Sequence, residues 1–250
     1  MKNKSRNNYL LLLLLILAIN THSQDIKAII DYQGNLEVDM EKILKDLPEK
    51  FHDQAKDTYG NVKPVIFKLL VKNEESLFQQ IEELRVENEP LNLARIVGEK
   101  GKFYINSKSK KTLREKEIMG DLYSIYNHLD SIKWNITQEE KKIGNYICYK
   151  ATTSLEKITF KGVIIQHITA WYTPEINIPH GPIGFGGLPG LIIELRREGS
   201  RNYVYSMMKI VLNKGKKIEI KEPNDGILVS QKEFYNIEKN VTNGILERRK

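Results

Sequence analysis

The 250-residue chain has a single cysteine, Cys148, which rules out an internal disulfide. It has no dominant charge either. Lys and Arg (39) exceed Asp and Glu (32) by only seven, and the two signs are mixed along the chain. That balance argues against nucleic acid as a partner. Beyond the first 23 residues no apolar run approaches the ~20 residues a membrane helix needs, so the mature chain is expected to have no transmembrane span. Histidine is scarce, and neither HxH nor HExxH occurs. There is no GxSxG elbow. Gly184-Phe185-Gly186-Gly187-Leu188-Pro189 lacks the last glycine of GxGxxG and precedes strand-like residues 191–195, not a helix. Carboxylate pairs such as Glu139-Glu140 are expected in a charged turn, where solvation explains them better than acid–base chemistry. These absences imply no cofactor, no metal and no catalytic residue.

The first residues read as an export signal. Lys2, Lys4 and Arg6 precede an apolar run over residues 9–19, and Thr21-His22-Ser23 places small residues at a cleavage position before Gln24. The run is short for a membrane span, although an uncleaved anchor is the alternative reading. Cleavage removes three basic residues and lowers the formal charge from +7 to +4. The expected organisation is a signal peptide over 1–23 and a single β-rich domain over 24–250, in the periplasm or secreted. A chain of that length can bury an adequate core without disulfides.

Residues 173–190 are the densest punctuation in the chain, with four prolines (174, 179, 182, 189) and five glycines (181, 184, 186, 187, 190). Proline fixes φ and removes a donor, whereas glycine permits angles that a Cβ forbids. The pattern predicts a long, stiff loop joining strands over 163–173 and 191–197.

The remaining elements follow from periodicity. A strand is expected over 26–32. An amphipathic helix is expected over 36–59, broken near Pro48, and a buried strand over 65–71. Residues 74–84 show helical spacing at Leu77, Phe78, Ile81 and Leu84. Short strands are then expected over 95–97, 103–105, 112–119, 122–126, 132–137, 141–153, 202–212 and 217–222. Turns are expected at Gly120-Asp121, Gly199-Ser200 and Lys214-Gly215. The basic SKSKK run over 107–111 reads as a solvated hairpin or loop. A terminal helix is expected over 231–241, ended by Asn243-Gly244. The expected fold is mainly β (α+β). It is an antiparallel meander curved into an open barrel or sandwich, with helices in the N-terminal third and at the C-terminus.

Gly187-Leu188-Pro189-Gly190-Leu191-Ile192 spells GLPGLI. Upstream, Ile132-Lys133-Trp134-Asn135-Ile136-Thr137 and the run from Lys141 to Ala151 keep an IKWxIT…KxIxxYxCxKA pattern. Ala170-Trp171-Tyr172-Thr173-Pro174-Glu175-Ile176, followed by Gly181-Pro182, keeps AWYTPEI…GP. In these segments, over roughly 132–195, the chain resembles the GLPGLI family of exported Bacteroidetes proteins. That resemblance transfers no catalytic residue. It implies strand and loop, not helix, around 74–84. In architecture alone, the element order is also similar to the curved sheets of periplasmic lipoprotein carriers.

Candidate sites are few. Cys148 lies in a strand-like run and reads as a small buried hydrophobe, since no adjacent base would activate it. His167, Glu175 and His180 are the only grouping that resembles a metal set, and their spacing fits no tight ligand pattern. The loop offers apolar side chains that either plug the core or form a lip contacting a ligand. The candidate ligand-binding residues are therefore Trp171, Tyr172, Phe185, Leu188, Pro189 and Leu191. The expected function is a non-enzymatic exported binding or carrier protein for an apolar ligand, or an envelope accessory protein that docks on an outer-membrane partner. A metal-dependent hydrolase using His167, Glu175 and His180 is the alternative.

Overall fold

The computed structural model describes residues 26–82, 92–159, 162–199, 201–212 and 217–247. The expected signal peptide, Leu84, Ser200 and the turn at Lys214-Gly215 lie outside these residues.

Among the described residues twelve strands form one hydrogen-bonded sheet. They are β1 (Lys27–Glu37), β2 (Val65–Lys72), β3 (Glu75–Gln80), β4 (Lys102–Asn106), β5 (Lys111–Ile118), β6 (Asp121–His128), β7 (Asn135–Ile143), β8 (Tyr146–Thr159), β9 (Gly162–Thr173), β10 (Leu191–Arg197), β11 (Asn202–Leu212) and β12 (Ile227–Ser230). Their order is β12-β6-β5-β4-β3-β2-β1-β11-β10-β9-β8-β7, with β12 and β7 as edges, so the sheet is not closed. The mainly β fold is as expected. Every pairing is antiparallel except β12 with β6, which is parallel and departs from a pure meander. The helices are α1 (Met40–Asp46), α2 (His52–Gly60), α3 (Leu93–Val97) and α4 (Gln231–Glu247).

The sheet curls strongly. β5 and β10 stand six strands apart in the order, about 29 Å on a flat sheet. Yet Arg114 of β5 and Arg197 of β10 both pair with the carboxylate of Glu99. The concave side holds the main core. On β1, Ala28, Ile30, Tyr32 and Leu36 point inward at every second position, and Val65, Phe67, Leu69 and Val71 do the same on β2. Phe78 stacks on Phe67 at 5.2 Å and meets Tyr32, Phe103 and Tyr205 edge-on. Residues 217–226 cover the outer face, where Ile220 packs on Leu77, Tyr104 and Leu113. α4 covers the inner face at the β6–β12 edge, where Phe234 meets Ile125 and Val229, which share a face with Arg114 and Phe103 in the strand register. α4 opens with a reciprocal cap, Ser230 Oγ accepting from Glu233 N and Glu233 Oε2 accepting from Ser230 N.

Six expectations are corrected. Residues 75–80 form a strand instead of a helix. A tight hairpin at Asn73 (φ 54°) returns them against β2, and Leu77 and Phe78 are buried on opposite faces because both faces are covered there. Residues 95–97 belong to a short helix capped by Asn92, whose side chain accepts from Ala94 N. The β5–β6 turn is Met119-Gly120, one residue earlier than expected, with both at positive φ. The run 141–153 is two strands, folded at Gly144-Asn145 with Gly144 at φ 58°. Residues 217–222 are not a strand; they lie over a sheet face, where no ladder partner is available. α4 continues through Asn243-Gly244 to Glu247. The break at Pro48 between α1 and α2, and the SKSKK turn between β4 and β5, are as expected.

Candidate functional site

The Pro/Gly segment leaves the β9–β10 end and crosses the concave interior, where its 3₁₀ turn (Pro182–Gly184) packs on β3, β4 and β5. It makes its own ladder of bonds. Leu191 N donates to Ile176 O, Gly187 N to Pro179 O, and Ile192 N to His180 O. It is held at two further points. His180 Nδ1 bonds Ser76 Oγ of β3 at 3.1 Å, and Trp134 Nε1 donates to Gly186 O at 2.9 Å. Two glycines are obligatory here. A Cβ on Gly190 would stand 2.0 Å from Thr173 O, with φ at 148°, and one on Gly186 would stand 2.7 Å from Pro179 O.

The expected ligand-binding residues are dispersed. Leu188 and Leu191 are fully buried in the core. Phe185 is buried too, packs on Trp134 at 5.9 Å, and borders the interior cavity. Tyr172 and Pro189 line a separate surface depression with Tyr149, whose ring stands 6.2 Å from that of Tyr172. Trp171 takes the opposite face of β9 from Tyr172 and carries the Lys141 ammonium over its ring.

The hydrolase triad is not assembled. His180 is buried within the sheet, and burial pushes its pKa down to about 4. His167 is exposed on β9 and bonds Ser154 at 2.9 Å. The Glu175 side chain accepts from Ile147 N. Among the described residues no group of three or more His, Cys, Asp or Glu is placed to hold a metal. Cys148 is buried, and burial raises its thiol to about 11, which keeps it protonated.

The candidate site is a cavity of about 420 Å³ under the Pro/Gly segment, within the size range of small-molecule pockets. Ile183, Gly184 and Phe185 from the segment form one side. Phe103 and Ile125 face them from β4 and β6, while Leu155 and Gln166 close the far wall from β8 and β9. Its polar feature is a charge cluster. Arg114 Nη2 bonds Glu99 at 2.5 Å; Arg197 also pairs with Glu99 and donates to Val97 O at 2.9 Å. The Arg114 guanidinium lies 5.1 Å from the Phe103 ring centre. Arg197 is detectable in the sequence, because it follows Leu191, Ile193 and Leu195 on the buried parity of β10. Glu99 lies in irregular chain after α3, where periodicity gives no signal.

Residues 156–194, which span the end of β8, β9, the Pro/Gly segment and the start of β10, match a family described as a protein of unknown function (Porph_ging). No curated protein matches the chain in sequence. Among solved structures, PNGF-II in its C2 crystal form is similar over 85% of this chain and 32% of its own, with 16% identity and a TM-score of 0.50. The chain thus spans about a third of PNGF-II, and the likeness is one of fold. LppX of Mycobacterium tuberculosis is 9% identical over 84% of this chain and 98% of its own, with a TM-score of 0.29. LprF from Mycobacterium bovis is 12% identical over 80% and 89%, also with a TM-score of 0.29. Scores of 0.29 fall short of a shared fold. No helix among the described residues is long and apolar enough to cross a membrane.

Proposed function

We propose that the protein is an exported, non-enzymatic binding or carrier protein of the GLPGLI type, whose curled sheet holds a small amphipathic ligand. The observation that carries this reading is the 420 Å³ cavity, with apolar residues in its wall and one partly buried charge cluster. Ligand pockets have that composition: mostly apolar lining, with a few polar groups that fix orientation. The Pro/Gly segment acts as a fixed wall, since its backbone bonds, His180 and Trp134 anchor it on both sides. Export rests on the basic, apolar and small-residue order of residues 1–23.

The test is uptake of a fluorescent fatty-acid probe by delipidated, refolded protein. Leu155→Trp fills the cavity from its β8 wall. Wild-type uptake that falls at least tenfold in this variant supports the reading. No uptake by the wild type, or equal uptake by the variant, removes it.

A second reading, docking on an envelope partner, has its own observation. Val163, Ile164 and Ile165 are all exposed at the start of β9, and consecutive exposed apolar residues mark interaction surfaces. Replacing Ile164 by Lys without loss of envelope association would exclude it.

A further inference from the structure

The cavity reading leaves the ligand's chemistry open, and the charge cluster narrows it. Glu99 is a single carboxylate shared by two guanidiniums, so the partly buried trio carries one uncompensated positive charge. The two arginines differ in what remains free. Arg197 has 6% of its side chain exposed and is committed to Glu99 and to Val97 O. Arg114 keeps 27% of its side chain exposed, lies in the cavity wall, and has an Nε that is buried with no hydrogen-bond partner. A guanidinium is always charged, weakly hydrated, and matches a carboxylate with two parallel bonds. A partly buried positive charge with one neutralising partner for two cations favours an incoming anion. Around it the wall is apolar: Phe103, Ile125, Ile183 and Phe185. The lining also holds Glu156, exposed on β8, and His128.

We propose that Arg114 receives the head group of a monoanionic carboxylate amphiphile, with the apolar body against Phe103, Ile183 and Phe185. The inference rests on the cavity reading and adds the head-group preference. A neutral ligand of the same length leaves the uncompensated charge facing apolar atoms; a monocarboxylate neutralises it. A dianion overshoots by one charge.

Calorimetric titration of the full-length delipidated protein with dodecanoate and with dodecan-1-ol, both below their aggregation limits, separates the two claims. The expected result is dodecanoate binding at least tenfold more tightly than the alcohol. Arg114→Gln should shrink that ratio below threefold, mainly by weakening dodecanoate, and Arg114→Lys should retain part of it. Equal binding of the two by the wild type, or a ratio that survives in Arg114→Gln, overturns the head-group assignment and leaves the cavity reading standing. Binding of neither overturns both. If Arg114→Gln fails to fold, the wild-type ratio together with that of Arg114→Lys decides the matter.

Discussion

His180 Nδ1 and Ser76 Oγ, 104 positions apart in sequence, meet at 3.1 Å inside the sheet, while His180 Nε2 is buried without a partner. The bond ties the Pro/Gly segment to β3 across the concave interior. It also fixes the charge state: the ring sits where an imidazolium would lose hydration and gain no counter-ion, and burial pushes its pKa from 6.5 down to about 4. Between those values the unfolded chain binds a proton that the native state does not. Native stability therefore falls as pH drops from about 6.5 towards 4 and levels off below that, a loss of order 3 kcal/mol. Urea midpoints measured at several pH values between 7.5 and 3.5 should show this slope, and His180→Gln should flatten it. A slope unchanged in that variant would assign the acid sensitivity to other groups.

Gly190 is the second fixed point of the segment. Alanine there meets Thr173 O at 2.0 Å in a backbone region that L residues rarely adopt. Gly190→Ala is expected to cost at least ~2 kcal/mol and to raise amide exchange over residues 174–190 more than in the paired strands β1 and β2. Gly60, with open space around its Cβ position and no positive φ, is the control, and Gly60→Ala should be nearly neutral. Equal losses at the two positions would show that the close approach at Gly190 can relax.

How much was legible follows from which forces act locally. β1, β2, β9, β10 and β11 were readable because one face is apolar and each run is longer than its turns. The Pro/Gly segment was readable as a stiff loop because its stiffness is covalent. Residues 75–80 were misread because two-sided burial places Leu77 and Phe78 side by side, which mimics a helical stripe. The break at Gly144-Asn145 was missed because Tyr146–Thr159 continues the β texture of β7 with only one glycine between them. The site was the least legible part. Its walls come from β4–β6 and from β8–β10, and they converge only because the sheet curls, a property of the accumulated twist that no short window of sequence carries. Arg114 gave no signal: on β5 it alternates with Leu113 and Glu115, both buried, in a run with charges on both faces.

Cys148 should behave as an inert thiol. It is fully buried, its pKa is raised to about 11, and its Sγ lies 3.8 Å from Tyr146 O. Labelling by a maleimide at pH 7.5 should be slower than that of an unfolded control by at least ~10³-fold, because it must await opening of the β7–β8–β9 sheet. Cys148→Ala removes a small buried group and should cost ~1 kcal/mol, while Cys148→Ser buries a hydroxyl and should cost more. Rapid labelling of the native protein would show that this edge of the sheet opens readily.

Glu99 should matter more to the native state than its position in irregular chain suggests. Its carboxylate pairs with both Arg114 and Arg197, and its backbone N–H donates to Tyr205 Oη at 3.2 Å. Glu99→Gln leaves two partly buried guanidiniums facing an uncharged amide, and removing one partner of such a cluster costs about 3–5 kcal/mol when burial is complete. With Arg114 a quarter exposed the loss should be smaller, ~2 kcal/mol. The double variant Glu99→Gln/Arg114→Gln still leaves Arg197 without its carboxylate, yet it removes the repulsion between the two cations. It should therefore be more stable than the sum of the two single changes implies. A double-mutant cycle in urea measures that coupling directly. Strict additivity would mean that Glu99 and Arg114 do not interact in the native state, and the Glu99 cluster would then not act as a unit.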